Sequence, residues 1–432
     1  MLCHDDQSNI VPVEHRKVTY RLYPSKTQAA ALLHLLRLHQ QLYNAALDQR
    51  ITAWRRRRVS LSYADQCREL TDLRRECPEF ATANCSSQQR TLRRLDIAFQ
   101  AFFRRVKERG ERAGFPRFKS LHAFPGFGFK SHGDGWRFVP GADGKHGKLR
   151  LQGVGVVKAR GQARTGGTIK ACEVLHRDGV WSLSLTVECQ PIRAGGIAAC
   201  GLDWGVSDFA TLALTDGTHR SIANPRLGQQ AERGIRIAAR AVARKKRGSN
   251  NRRKAARHLR RLRQRLANRR RDFAHQRSAE LAGRFALIAT EELNVKNMTA
   301  TACGTADAPG RNVRAKAGLN REILDTAPAA FLALLRYKAT EAGSEIVEVP
   351  TRTLKPSQRC PACLRVEKKT LSQRMHCCPC GHVEPRDAAS GRVALNWVLG
   401  QMQSGREPTL RERAGVAPPA HETPSIPQDW MG

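Results

Sequence analysis

Near the C-terminal end of the chain, Cys360-Pro361-Ala362-Cys363 is followed by Cys377-Cys378-Pro379-Cys380-Gly381. Two C-x-x-C pairs in such close succession restrict the local fold more than any other feature of the sequence. Each pair forms a tight knuckle with its thiolates pointing the same way, and four thiolates complete a tetrahedral shell around zinc. A complete shell leaves no open position for a substrate, so the ion is expected to be structural. Cys360, Cys363, Cys377 and Cys380 are the expected ligands, because only Cys377 stands at C-x-x-C spacing from Cys380. Cys378 is then a bystander, and His376 and His382 are rival ligands. The chain has 13 cysteines, the others scattered, which fits a reducing compartment better than a disulfide framework.

Hydrophobic periodicity divides the rest. Val18, Tyr20 and Leu22 alternate with polar residues, predicting a strand over 16–23 that ends at Pro24-Ser25. From Gln28 to Arg50 the period becomes helical, with Leu32, Leu35, Leu36, Leu42, Tyr43 and Leu47 as the apolar stripe. Leu92, Leu95, Phe99, Phe102 and Phe103 predict a second apolar helix face. Glycine and proline break this pattern at 113–120. The segment to about 194 is strand-like, with Trp181, Leu183, Leu185 and Val187 alternating. One early strand, a helical block and then several strands read as a β-barrel with a helical insertion. A new unit begins near Ile197. Buried strands are expected at 197–203, 209–215, 286–290 and 345–349, long helices over 233–271 with a break at 248–251, and a last helix from Asp387 to Leu399.

Charge limits the partners. There are 75 Lys and Arg against 38 Asp and Glu, a net charge of +37. Such a chain repels itself unless a polyanion neutralises it, and nucleic acid is the natural polyanion. Between Arg233 and Arg271 stand 18 Lys or Arg and no acid. That density exceeds what ion pairs on a solvated helix can offset, while Ile235, Ile237, Leu259, Leu262 and Leu266 argue against a disordered tail. Arg244, Lys245, Lys246, Arg252, Arg253 and Lys254 are candidate phosphate contacts here, and Arg104, Arg105, Arg117 and Lys119 in the N-terminal part. No apolar run approaches the length of a membrane span. The polar start, Met1 to Asn9, is unlike a secretory signal.

Three acids draw attention. Asp203 and Glu291 end apolar strands, and Asp387 begins the last helix. Carboxylates brought together at a sheet end can hold the divalent cations that phosphodiester hydrolysis uses. Position alone leaves helix capping or pairing with arginine as the ordinary reading of each.

With these residues in hand, the sequence resembles the TnpB family of transposon-encoded, RNA-guided RuvC-like nucleases, which are related to the type V CRISPR effectors. The likeness covers roughly residues 16–400. It is carried by RLYPSKTQ at 21–28, the stretch 95–120 ending AGFPRFKS, GLDWGVSDFATLALTDG at 201–217 and SNNRRK at 249–254. It continues in RRDFAH at 270–275, TEELNVKNM at 290–298, LNREILD at 319–325, SQRCPAC at 357–363 and CCPCGHVEPRD at 377–387. Each is weak alone, but their order is specific. The resemblance implies that Asp203, Glu291 and Asp387 are the catalytic, magnesium-binding acids, with Glu292 where the family usually has Asp. The family's D-R-D-x-N-A-A reads Pro385-Arg386-Asp387-Ala388-Ala389-Ser390-Gly391 here, with Ala389 for the asparagine and Gly391 for an alanine. Leu364 replaces the glycine usual after the first knuckle.

The implied fold class is α/β plus β-barrel. An RNase H-like (RuvC) nuclease domain carries an inserted zinc ribbon, and an N-terminal wedge barrel carries a helical recognition lobe. The expected boundaries are 14–28 for the first wedge strand, 29–120 for the recognition lobe and 121–196 for the rest of the wedge. They are 197–350 for the nuclease domain, 351–384 for the zinc ribbon, 385–403 for the last RuvC segment and 404–432 for a disordered tail. The expected cofactors are Mg2+ at a two-metal site and structural Zn2+. The expected partners are a guide RNA from the same element and double-stranded DNA bearing a short flanking motif. The protein is expected to act as a monomer in that complex, in the prokaryotic cytosol or nucleoid, without a membrane. The alternatives are a compact type V CRISPR effector, a nuclease-silent RNA-guided repressor, or a transposase that joins strands itself.

Overall fold

The structure is a computed structural model that describes residues 14–109, 114–142, 145–161, 166–190, 193–305, 308–370 and 372–403. The expected tail at 404–432 lies outside these residues. The chain divides into two compact units, one ending at Pro191 and the other beginning at Ile192.

The first unit opens with β1 (Glu14–Tyr23), whose alternate residues Tyr20 and Leu22 are buried. Ser25 then caps α1 (Lys26–Arg57). Its hydroxyl accepts from the Gln28 backbone N–H, and the Gln28 side chain accepts from the Ser25 N–H. This reciprocal cap satisfies two donors that the first helical turn leaves without partners. Next come α2 (Tyr63–Glu76), α3 (Pro78–Ala81) and α4 (Cys85–Arg109). The apolar faces of α1 and α4 are buried as their periodicity predicts, and Phe103 is half-buried. His39 of α1 is buried among them. Its ring nitrogens bond Thr91 Oγ1 at 2.9 Å and Ser87 Oγ at 3.2 Å. Burial, with the Arg94 charge second, brings its pKa down to about 3, so it is a neutral linker between the helices.

Six further strands follow: β2 (Gly126–Phe129), β3 (Trp136–Pro140), β4 (His146–Leu151), β5 (Gly155–Arg160), β6 (Thr168–Arg177) and β7 (Val180–Cys189). With β1 they form one antiparallel sheet in the order β2-β6-β7-β1-β5-β4-β3. The first strand therefore sits at the centre, paired with β7 along Glu14–Arg21 and with β5 along Arg21–Tyr23. The helical insertion between β1 and β2 is as expected. The closed barrel is not: the sheet is a curled half-barrel with β2 and β3 as its edges.

The second unit is built on β8 (Ala198–Trp204), β9 (Asp208–Leu214), β10 (His219–Ala223), β11 (Phe285–Glu291) and β12 (Glu345–Val349). Their order is β10-β9-β8-β11-β12, with the first three antiparallel and β8, β11 and β12 parallel. The link from β10 to β11 is the basic pair α5 (Leu227–Ala243) and α6 (Asn250–Arg284). From β11 to β12 run α7 (Val295–Met298), α8 (Val313–Thr326) and α9 (Pro328–Glu341). After β12 come α10 (Thr351–Leu354), the hairpin β13 (Met375–Cys377) and β14 (Val383–Pro385), and α11 (Arg386–Gln403). Among the described residues, no helix is long and apolar enough to cross a membrane.

Helix α11 lies on the sheet with Val393, Ala394 and Val398 against Leu287, Ala289 and Val349. It crosses β8 where two glycines meet. A Cβ on Gly201 would overlap the Gly391 carbonyl oxygen, and one on Gly391 would lie 2.8 Å from the Gly201 oxygen. Backbone thus approaches backbone, and neither side can yield by turning a side chain. Gly201→Ala should cost about 1–3 kcal/mol, the usual range for overpacking. Thermal denaturation should show Tm lowered by several degrees. An unchanged Tm would mean that strand and helix have room to spare.

Candidate functional site

The parallel pairing of β8 and β11 matches Gly201 with Ala289 and Leu202 with Thr290. One step further stand Asp203 and Glu291, on neighbouring strands and on the same face of the sheet. It is also the face of Gly201, two residues before Asp203, and so the face that α11 covers. Asp387 lies in the first turn of α11, one turn before Gly391. Three acids far apart in sequence thereby converge, all half-buried. Glu292 is exposed, as strand alternation requires. Its N–H donates to Val349 O at 3.2 Å and its carbonyl accepts from Thr351 Oγ1 at 3.1 Å.

The acids repel one another. Burial pushes the Asp203 carboxyl well above its usual range, and the charges of Glu291 and then Asp387 push it further. The Ser390 hydroxyl and the Arg386 charge oppose this. Glu291 is raised by burial first, again against Ser390 and Arg386. Ser390 Oγ donates to Glu291 Oε1 at 3.0 Å. Sequence reasoning missed Ser390. Its signal was a hydroxyl three residues after Asp387, on the same side of the helix, where the family motif has alanine. Oxygen-only donors with excess negative charge fit a hard divalent cation such as Mg2+.

The four-cysteine module leads directly into this helix. The sulfurs of Cys360, Cys363, Cys378 and Cys380 lie within 4.8 Å of one another. Cys360 Sγ is 3.7 Å from Cys380 Sγ, and Cys363 Sγ is 3.5 Å from Cys378 Sγ. A tetrahedral ion with Zn–S bonds of about 2.3 Å has sulfurs roughly 3.8 Å apart, so this set fits zinc. Cys377, the expected third ligand, is not in the cluster; Cys378 stands in its place. Along β13, Met375 is exposed, His376 buried and Cys377 exposed, so strand alternation turns Cys377 away. The second knuckle is tighter than the first. Cys378 N–H donates to His382 O, four residues on, whereas Cys360 N–H donates to Arg365 O, five residues on. Burial raises the Cys360 thiol, but donation from the Cys363 backbone, His376 and the Ala362 backbone outweighs this and brings it to about 5. Both rival histidines lie outside the sulfur cluster: His376 contacts Lys369, and His382 bonds Glu384 at 2.8 Å. Leu364 takes the left-handed conformation at φ 63°, the strain that a glycine would avoid.

The basic candidates fall into separate groups. In the second unit, Arg244, Lys246, Arg253 and Lys254 are exposed around the α5–α6 turn, and Lys245 is half-buried. Arg252 is a brace instead: its Nη1 donates to Val242 O at 3.0 Å and Lys245 O at 3.1 Å, closing the end of α5. In the first unit, Arg104, Arg105 and Arg117 are exposed. Lys119 is half-buried, and its backbone is held by Asn44 and Gln40. Exposed Arg55–Arg58, closing α1, were missed although four successive arginines were in plain view.

Two outcomes follow from this geometry. The raised carboxyls of Asp203 and Glu291 keep their protons in the folded state after the unfolded chain has released them. Without cations, stability is therefore lost as pH rises from the ordinary carboxylate range through the raised values. Asp203→Asn in EDTA should be more stable than wild type at neutral pH, by about 0.5–2 kcal/mol, and the gap should close towards pH 4. Melting curves across pH measure it; a less stable Asp203→Asn protein would refute the repulsion. Zinc analysis tests the ligand set: Cys378→Ser should lose metal and Cys377→Ser should keep it, and the reverse pattern would restore Cys377.

A family model described as "Probable transposase" matches residues 182–302, a Cas12f1-like TNB domain matches 329–393, and a helix-turn-helix domain matches 15–58. In the structure, that last stretch is one strand and one long helix. "Putative RNA-guided DNA endonuclease InsQ" of Escherichia coli (strain K12) is 34% identical over 296 residues, 67% of this chain and 68% of that protein. "Putative RNA-guided DNA endonuclease" of Streptomyces pristinaespiralis is 28% identical over 96% of this chain and 98% of that protein. The fold is shared with a chain of the "Cryo-EM structure of the Cas12f1-sgRNA-target DNA complex", at TM-score 0.57 and 12% identity, over 89% of this chain and 98% of that one. The motifs read along the sequence and a relative this similar over two thirds of both chains agree: the chain belongs to the TnpB family of transposon-encoded proteins.

Proposed function

We propose that this protein is an RNA-guided DNA endonuclease that hydrolyses phosphodiester bonds at an RNase H-like (RuvC) site formed by Asp203, Glu291 and Asp387. The observation that carries this reading is the convergence of three acids from β8, β11 and α11 on one sheet face, close enough that burial and their neighbours' charges raise the proton affinity of Asp203 and Glu291. A cluster that only stabilised the fold would pair its charges with cations; this one leaves negative charge in excess. The names of the relatives supply the substrate class and the use of a guide.

Asp203, Glu291 and Asp387 would hold the divalent cations, most simply Mg2+. When bound, these ions lower the pKa of the attacking water and neutralise the leaving oxygen. The chain's own residues do the rest. The strand ends fix two carboxylates, and α11 brings the third from above. Arg386, in the same turn as Asp387, supplies a fixed positive charge beside the acids. The exposed basic residues at the α5–α6 turn and near the end of α4 bind backbone phosphates of guide and target. The guide base-pairs with one DNA strand and so chooses the sequence, while the protein reads duplex shape and a short flanking motif. Zinc on Cys360, Cys363, Cys378 and Cys380 is structural.

The test uses the full chain purified with whatever RNA accompanies it. Sequencing that RNA identifies the guide, and a plasmid carrying the matching sequence beside randomised flanks serves as target. Wild type with Mg2+ should linearise a subset of plasmids. Asp203→Ala should leave them intact while binding RNA and target as before, because it removes a cation ligand and no backbone contact. Cleavage by Asp203→Ala at the wild-type rate would refute the site. Plasmid left whole by wild type would favour a guided binder without nuclease activity.

A further inference from the structure

Ser390 is a buried polar residue of α11, with Ala388, Ala389, Val393 and Ala394 buried on either side of it in the helix. Only 2% of its surface is exposed. A hydroxyl so buried needs a partner, and it has one proton to donate. That proton goes to Glu291 Oε1 at 3.0 Å. Ser390 follows Asp387 by three residues, so the two share a side of the helix. One hydroxyl therefore binds the acid of β11 and rides on the helix that bears Asp387.

Glu291 is the member of the trio that most needs holding. Its carboxylate stands at the end of a longer side chain than that of either aspartate, on the last residue of β11. Repulsion from Asp387 works to push it out of the cluster, and the Ser390 bond and the Arg386 charge keep it in. Of these two, only the bond fixes one oxygen and so orients the other.

We propose that Ser390 is a positioning residue of this site: by binding one oxygen of Glu291 it presents the other to a divalent cation shared with Asp203 and Asp387, and so sets the affinity of the site for that cation. This rests on the three-acid reading above. Partners that orient metal ligands are usually worth about 10–100-fold in metal affinity or activity. Ser390→Ala removes the hydroxyl and little else, and alanine favours the helix.

The experiment compares wild type, Ser390→Ala and Asp203→Ala as full chains with their copurifying RNA. Fe2+ with ascorbate and peroxide cuts the polypeptide wherever the ion is bound, so fragments ending near residues 203, 291 and 387 report occupancy without any DNA cleavage. Plasmid cleavage is titrated with Mg2+ in parallel, and Tm and target binding are measured alongside. Ser390→Ala should need at least about 10-fold more Fe2+ for half-maximal fragmentation. Its half-saturating Mg2+ should rise by the same factor, its rate at saturating Mg2+ should approach wild type, and its Tm and target binding should not change. Two results overturn the proposal while leaving the three acids in place: unchanged Fe2+ and Mg2+ dependence, or a matching loss of Tm and target binding, which would make Ser390 merely structural. A wild-type chain without fragments near the acids, or Asp203→Ala that still cuts plasmid, overturns the three-acid reading itself.

Discussion

The contact between Gly201 and Gly391 is the constraint on which the rest of the second unit depends. A helix resting on a sheet is normally kept about 10 Å away by the side chains between them. Here two residues without side chains let α11 settle onto β8 until their backbones meet. That depth matters at the other end of the same elements. Two residues beyond Gly201 is Asp203, and one turn before Gly391 is Asp387. A larger residue at the crossing would lift the helix at the place where its first turn must reach the strand ends. The glycine at 391, which costs helix propensity, is thus explained by packing rather than by the helix itself.

The site is held together against its own electrostatics. Burial and the neighbouring carboxylates raise the proton affinity of Asp203 and Glu291, and only a few groups oppose that: the Ser390 hydroxyl, the Arg386 charge and the N-terminal end of the α11 dipole. None of these neutralises the cluster. A fold that tolerates such excess charge sacrifices stability locally, which is characteristic of sites that bind cations. Two changes in the third-acid motif then belong together. Gly391 brings the helix down, and Ser390, one residue earlier, meets Glu291 once it is down.

Much of this was legible in the sequence, and what was not shares one cause. Strand and helix segments could be read because periodicity of two or 3.6 is a local property: the apolar stripe of α1, the alternation of β7 and the buried run of β11 all stand in the structure, whereas β12 is a strand in which only Val349 is buried. The acids were legible as strand-end and helix-start residues, and the ordered motifs singled them out. Pairings are not local. Nothing in the spacing of β2 and β3 shows that they remain sheet edges. The role of Ser390 depends on the register of β8 against β11 and on the depth of α11. Arg252 reads as one more phosphate contact until the end of α5 is seen beneath its guanidinium. The choice between Cys377 and Cys378 turned on where a three-residue strand ends: Cys377 is its exposed last residue and Cys378 the first residue after it, a single step that C-x-x-C spacing cannot register.

That single step has consequences for how the cysteine cluster and the three acids relate. The β13–β14 hairpin pairs only three residues on each strand, too few to persist in water alone. The thiolate cluster at its tip closes it, as a structural zinc ion would. The hairpin then runs straight into α11: Arg386 N–H donates to Arg374 O at 2.9 Å, and Asp387 is the next residue. Arg392 fastens the same junction from the other side, with its Nε 3.3 Å from Glu384 Oε2 and its Nη2 donating to Gly217 O at 2.8 Å. The third acid therefore has two supports in series, the cysteine-clustered hairpin before it and the glycine crossing after it. Slack in either would be felt first at Asp387, because Asp203 and Glu291 are fixed by the sheet itself. This makes an inserted four-cysteine module understandable beside the three acids: it sets the starting point of the helix that the sheet cannot position alone.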